Sequence, residues 1–436
     1  MTSLERRTGR VPSEGSRRGF WHLRSSSRRS SGSPKRRGLA VAAVLSGVAI
    51  LAAACSSSTT PSKSKPSPST TKAPILLGMI TPLTGAYQPL GINDRKGAEL
   101  AVSEINAAGG IDGRQIKLIV ENDNTTPSQA VTDLKSLVGQ GVVAVVGSSY
   151  SNDSLAAEPI AERDHVPYVS TAASVAQVEP VRKYVFMSPP TTVNVGKRLL
   201  EYFQYKGWKR VAIAYESDSA FALSGFHVQE QLASKYGVTI VTAQPFTNST
   251  TNFSTIFTHV QQAHAQALMV WGTAAPPVIM TKQFAAAHIG IPLVMSHAEA
   301  TYLYANPVGA AGNGVIVASA AAVVEPYLPA SPLKTVAAKM VSDFEAKYHV
   351  YPPQFAFDAY DAVELIAAAA KKDGATRAGI DKGLQNMSLL LPEGDYRMSP
   401  TNHSGLHASD ISVDRIENSN FTITAWAKKE FEKTFG

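Results

Sequence analysis

Short β-rich runs alternating with amphipathic helices predict an α/β fold built on parallel sheets. The alternation occurs twice, once from Ile75 and again after Trp208, and the similar lengths of the two series imply two similar α/β lobes. Size agrees: roughly 360 residues follow the last low-complexity stretch, more than one hydrophobic core usually holds.

In the first series the strand ILLGMI (75–80) leads to a helix near 91–108. There Ala98, Ala101, Val102 and Ile105 fall at i, i+3, i+4 and i+7, a single apolar stripe. Gly109-Gly110 ends that helix, as glycine commonly does just past a helix terminus. IKLIV (116–120), a helix opening at Pro127, VVAVVG (142–147), another helix and VPYVS (166–170) complete the set. The second series runs VAIAY (211–215), a helix to Tyr236, VTIV (238–241), a helix over 251–265 and ALMVW (267–271). A helix over 276–288, PLVMS (292–296) and GVIVAS (314–319) close it. Helices over 332–348 and 355–372 follow, the latter Ala-rich with Ala359, Ala362, Val363 and Ile366 at the same spacing. A β-rich tail over 409–427 comes last.

The single cysteine, Cys55, closes the apolar run LAVAAVLSGVAILAAAC that starts at Leu39. That run is shorter than the roughly 20 residues a bilayer-spanning helix needs, and Lys35-Arg36-Arg37 precedes it. The layout is that of a cleaved signal peptide over residues 1–54, with an uncleaved apolar anchor as the alternative. Residues 56–73 are rich in Ser, Thr, Pro and Lys, cannot bury a core and read as a solvated spacer. Residues 1–38 carry eleven of the chain's 41 Lys and Arg and two of its 34 Asp and Glu, leaving 30 against 32 in the remainder. The pI of 9.2 therefore belongs to the leader. It gives no support to nucleic-acid binding, which needs a basic patch on the folded part.

Catalytic signatures are missing: there is no G-x-S-x-G elbow, Walker A loop, G-x-G-x-x-G fingerprint or H-E-x-x-H. His403 with His407, and His259 with His264, lack accompanying acids or cysteines and read as surface histidines. No metal and no cofactor is expected. Ligands of open α/β sheets sit at the carboxyl ends of the strands, against helix N-termini whose free N–H groups suit a carboxylate. Two such strand ends are rich in small polar residues: Gly147-Ser148-Ser149-Tyr150-Ser151 and Ser170-Thr171-Ala172-Ala173-Ser174.

Ile80-Thr81-Pro82-Leu83-Thr84-Gly85, the element EINAAGGIDGR (104–114) and Tyr360-Asp361-Ala362 resemble the type I periplasmic solute-binding proteins, in particular the branched-chain amino-acid class of ABC importers. The resemblance spans 74–430. It implies two Rossmann-like lobes joined by three hinge crossovers, one of residues 74–191 plus 325–395 and the other of 192–324 plus 396–436. Cys55 after Leu51-Ala52-Ala53-Ala54 is similar to the lipobox of bacterial lipoproteins, which implies a lipid-anchored monomer on the extracytoplasmic face of the cell membrane. Its partners would be a small solute, an ABC permease and an ATPase, with no nucleic acid.

Laid on the family pattern, Ser151, Ala172 and Ser174 match the positions that hold a ligand carboxylate, Ala172 through its backbone. Tyr87, Leu90 and Tyr150 are candidate pocket walls. Family aromatics fall on Ala220, with Phe221 beside it, and on Ala274. The acid that pairs with a ligand ammonium is matched nearest by Glu299, with Asp218 as a substitute, because an ammonium buried unpaired is costly. These departures leave an amino acid, an amide and a small carboxylate open as ligands. A sensing receptor subunit on the same fold is the rival function. An enzyme would have to use Ser151 with His297, a pair without a sequence signature.

Overall fold

The structure, a computed structural model, describes residues 72–436. The expected signal peptide, Cys55 and nearly all of the tether lie outside the described residues.

Five parallel strands form the first sheet: β1 (Ile75–Thr81), β2 (Ile116–Asn122), β3 (Ala144–Val146), β4 (Tyr168–Ser170) and β5 (Val185–Met187), in the order β2-β1-β3-β4-β5. Helices α1 (Gln88–Ala107), α2 (Pro127–Gly139) and α3 (Ser151–Asp164) connect them. The chain then crosses to a second sheet through α4 (Thr192–Lys206). Its parallel strands are β6 (Arg210–Glu216), β7 (Thr239–Phe246), β8 (Ala267–Trp271), β9 (Leu293–Met295) and β10 (Ile316–Ala320). Between them lie α5 (Ala220–Leu232), α6 (Ser254–Gln262), α7 (Ala275–Ala286) and α8 (Tyr302–Val308).

After β10 the chain returns through α9 (Pro332–Tyr348), α10 (Gln354–Asp373) and α11 (Arg377–Leu384). It makes an antiparallel hairpin of β11 (Ser388–Leu391) and β12 (Gly394–Arg397), then crosses once more. β13 (Ile411–Glu417) and β14 (Asn420–Ile423) extend the second sheet antiparallel to β10, giving the order β14-β13-β10-β9-β8-β6-β7. Helix α12 (Ala425–Phe435) ends the chain.

Strands such as β8, buried at all five positions, have helices on both sheet faces. That is why they read as unbroken apolar runs rather than alternating ones. The return helix α10 lies directly on α1. Gly97 makes this approach possible: a Cβ there would stand 2.0 Å from the carbonyl oxygen of Ala356. Close packing at that crossing sets the height of Phe355 and Asp358, both of which line the cleft between the sheets.

Three features depart from the sequence expectations. The β-rich tail stops at Ile423, where Thr424 accepts a hydrogen bond from the Ala427 N–H and starts α12. The β11–β12 hairpin has no counterpart in the predicted elements. His403 is not a surface residue. Its ring stacks on Phe186 at 4.2 Å and its Nδ1 lies 2.8 Å from the Val185 carbonyl, so it fills the space beside β5.

A buried polar network joins α10 to the three segments that pass between the sheets. Gln354 accepts from the Ala320 N–H at 2.9 Å and donates to Asp358 at 2.8 Å and Glu393 at 2.5 Å. Ser188 donates to the Asp358 carbonyl, and Tyr396 donates to the Ser188 carbonyl, each at 2.7 Å. Asp361 accepts from the Glu393 N–H at 3.0 Å.

Burial pushes the Asp358 carboxyl from its ordinary 3.8 up to about 7. Asp361 and Glu393 move the same way, first by burial and then through neighbouring carboxylates. Between about pH 4 and 7 the folded chain therefore holds protons that the unfolded chain has released. Stability falls as pH rises through that window. The thermal midpoint is expected to be lower at pH 8 than at pH 5, with Asp358→Asn flattening the dependence. An equal or higher midpoint at pH 8 would contradict the assignment.

Candidate functional site

Both sheets turn the carboxyl ends of their strands toward one cleft. In the first sheet β2 and β3 flank β1, and in the second β7 and β8 flank β6. These are the positions where connections diverge to either side and leave a crevice. The cavity between them is lined by Tyr87 and Leu90 after β1, Ser149, Tyr150 and Ser151 after β3, and Thr171, Ala172 and Ala173 after β4. From the second sheet come Ser219 and Phe221 after β6, Thr273 after β8, and His297 and Ala298 after β9. Phe355 and Asp358 of α10 complete the wall.

Helix α3 aims its N-terminus here. Tyr150 at its cap supplies no side-chain bond, and while the Asp153 N–H donates to the Tyr150 carbonyl at 3.0 Å, the Ser151 and Asn152 amides have no partner among the described residues. Asp153 in that first turn does not supply the missing negative charge. Burial, then the nearby Asp123, raises its pKa to about 8. A ligand anion would meet unspent N–H groups and the helix dipole, with the Ser151 side chain at the first helical position.

Other expected residues are placed differently. The Ala172 N–H already donates to Ser170 Oγ at 3.0 Å, and its carbonyl accepts from Gln177 at 2.9 Å. Its contribution to the cavity is its apolar wall. Ser174 is buried away from the lining and donates to the Ala220 carbonyl at 3.3 Å, across the seam between the sheets. Ala274 and Glu299 line not this cavity but an adjoining chamber, which shares Leu90, Ala298 and Phe355 with it. Glu299 is buried and accepts from Ser296 Oγ at 2.8 Å, and burial holds its carboxyl well above the usual range. Asp218 stands on the seam, its carbonyl accepting from Asn152 at 3.0 Å.

The cleft is closed. Tyr87 donates to Glu216 across it at 2.6 Å, and Asn152 accepts from the Ala220 N–H at 2.8 Å. Tyr87 stacks on Tyr150 with ring centres 4.3 Å apart, which leaves about 30 Å³ of space for the centre of a water-sized sphere. His297 meets Phe221 edge-on at 5.4 Å, and burial lowers its pKa to about 3, so the ring is neutral. Its Nδ1 has no protein partner, so no carboxylate orients it as a general base for Ser151. Among the described residues no group of three or more His, Cys, Asp and Glu is arranged to hold a metal ion.

Sequence reasoning missed Phe355, Asp358, Thr273 and Ser219. The two α10 residues sit on a helix buried nearly all round, so the sequence did not mark which face meets the cavity. Ser219 carries the faint signal of a helix cap, which it is.

The profile of the periplasmic binding protein family matches residues 74–413. The chain belongs to that family. Curated relatives include Leu/Ile/Val-binding protein homolog 8 of Brucella abortus, 28% identical over 209 residues, 45% of this chain and 51% of the relative. The chain thus spans about half the length of the curated relatives it matches. An extracellular ligand-binding receptor from Rhodopseudomonas palustris superposes with a TM-score of 0.75 at 22% identity, over 81% of this chain and 100% of the other. The branched-chain amino-acid binding protein LivJ of Streptococcus pneumoniae, solved with isoleucine, gives 0.71 at 24% identity, over 80% and 97%. These are binding proteins or receptors, and the two-lobed α/β architecture is that of type I periplasmic binding proteins.

Proposed function

We propose that this chain is the solute-capturing subunit of an ABC importer and that its ligand carries a carboxylate or amide head. The uncapped N-terminus of α3 at the cavity wall carries this reading. Ser149, Ser151 and the first-turn amides receive the head, while Tyr87, Tyr150, Phe221 and Phe355 enclose the atoms next to it. In this reading the lobes are residues 74–191 with 325–395 and 192–324 with 396–436, and the closed form docks on the permease. Ligand stabilises that form by RT ln(1 + [L]/Kd), about 2.7 kcal/mol at one hundred times Kd.

Asp358 favours a second reading, an amine-bearing solute such as an amino acid. It is a carboxyl on the cavity wall with a pKa near 7. Such a ligand binds more tightly as pH rises through 7 and the carboxyl ionises, whereas a carboxylate binds less tightly over the same range.

Residues 39–55 support export and lipid anchoring at Cys55. Among the described residues no helix is long and apolar enough to cross a membrane. Cys55→Ser is expected to move the chain from the membrane fraction to the soluble fraction, and unchanged membrane retention would refute the anchor. Thermal-shift screening of the full chain against small carboxylates, amides, amino acids and sugars is expected to give a saturable rise with carboxylates. For the compound that scores, Ser151→Ala weakens binding roughly tenfold or more, the loss of a hydrogen bond to a charged group. Affinity within twofold of the native chain for Ser151→Ala would overturn the capture assignment.

A further inference from the structure

The second sheet brings a different kind of polarity to the cavity. β8 and β9 pair side by side, Val270 against Met295, so Thr273 and His297, just past their carboxyl ends, leave from neighbouring strands. Both line the cavity and both are buried, at 6% and 3% exposed. Thr273 gives its backbone N–H to Glu216 at 3.1 Å, while its hydroxyl has no partner among the described residues. Other polar groups on that wall are spent. Ser219 caps α5, and the Glu216 oxygens are taken by Tyr87, Asn248 and the Thr273 N–H.

His297 carries the stronger signal. Burial keeps its ring neutral, and neither nitrogen is hydrogen-bonded to a described residue. Nδ1 is sealed off; Nε2 is not, and the space that His297 borders is the cavity. His403, a histidine that only fills a core, spends a nitrogen on the Val185 carbonyl. Leaving both nitrogens of a buried ring unspent is costly, and a solute atom at Nε2 removes that cost. A sealed lone pair is tolerated better than a sealed N–H. On that ground Nδ1 is assigned the lone pair and Nε2 the proton, which makes Nε2 a donor into the cavity.

We propose that His297 and Thr273 form a neutral hydrogen-bonding pole across the cleft from α3, and that this pole selects solutes bearing a hydroxyl or oxo oxygen a few atoms from the head. The class of ligand is then a small hydroxy or oxo acid, or its amide. This deepens the capture reading of the cavity and rests on it. An oxygen in that position accepts from Nε2–H and exchanges a hydrogen bond with the Thr273 hydroxyl. An ammonium in the same place meets Nε2–H donor to donor and gains nothing from it. A plain alkyl chain leaves both protein groups unpaired, which is how a polar site rejects the analogue that lacks its partner.

The test is calorimetry of the full chain with propanoate, lactate and pyruvate, and with pentanoate against 4-oxopentanoate, which place the oxygen near the head and farther from it. In at least one set the oxygenated acid is expected to bind about tenfold or more tightly than its parent. His297→Leu and, independently, Thr273→Val are each expected to cut that ratio to under about threefold. His297→Gln, which keeps an N–H donor near the place of Nε2, is expected to retain more of the ratio than His297→Leu. The ratio reads the pole itself, since a general loosening of the cleft weakens parent and oxygenated acid alike. Parent acids that bind as tightly as their oxygenated partners in the native chain overturn the inference and leave the capture reading standing. A ratio that survives both His297→Leu and Thr273→Val does the same. Failure of every acid, parent and oxygenated, to bind overturns the carboxylate reading and this inference together.

Discussion

Asp94, Asp358, Asp361 and Glu393 are sealed inside the fold, and among the described residues none has a lysine or arginine as a hydrogen-bond partner. Burial drives each toward its neutral form, because an unpaired buried charge costs far more than a retained proton. Asp94 lies behind the cavity, 2.8 Å from Thr171 Oγ1. Asp358 lies on its wall, and the other two sit where the chain passes between the sheets. The network that ties the two halves together and the wall of the site are thus one structure. It brings hydrogen-bonding capacity to the cleft with little fixed charge. The electrical bias that remains is the positive end of α3.

That bias explains how a binding site can be made without an arginine. Parallel strands deliver every βα turn to the same side, so short loops from both sheets converge on the cleft without any long insertion. In the proposed capture role, hydroxyls and backbone amides do what a guanidinium would do elsewhere. They avoid the desolvation cost that a cation buried on closure would incur. The seam that holds the cleft shut is also made of modest pieces: the Tyr87 phenol, which donates to Glu216 and accepts from Asn248, Asn152 bridging two backbone groups, and Ser174 on a carbonyl. Contacts of this size can be lost and regained together, which suits the capture role proposed above.

Most of the architecture was legible because strands covered on both faces leave unbroken apolar runs, and helices between them leave a 3.6-residue stripe. The terminal helix α12 escaped because AWAKKEFEKTF buries only Ala427 and Phe431, too narrow a stripe to stand out beside the strands. The β11–β12 hairpin escaped because its turn lacks the Asn-Gly or Asp-Gly signal of a two-residue loop. His403 looked exposed because only tertiary packing against Phe186 hides it. In the site, Tyr150, Ser151 and Phe221 could be read from polar strand ends and family register. Phe355 and Asp358 could not, since a helix that is buried nearly all round does not mark which of its faces meets a cavity. Glu299 could be placed near the cleft from sequence. Its turn toward Ser296, one residue past the cavity-lining Ala298, depends on a short 3-10 segment that composition does not reveal.

With so little fixed charge around α3, the cleft should select a carboxylate and leave no place for an ammonium beside it. The decisive comparison is 3-phenylpropanoate against phenylalanine, which differ by that one group, by calorimetry at pH 6 and pH 8. 3-Phenylpropanoate is expected to bind at least tenfold more tightly at both values, since the ammonium would be buried without a charged partner. Tighter binding of phenylalanine, strengthening from pH 6 to pH 8 as Asp358 ionises, would contradict this selectivity and make Asp358 the ammonium's partner.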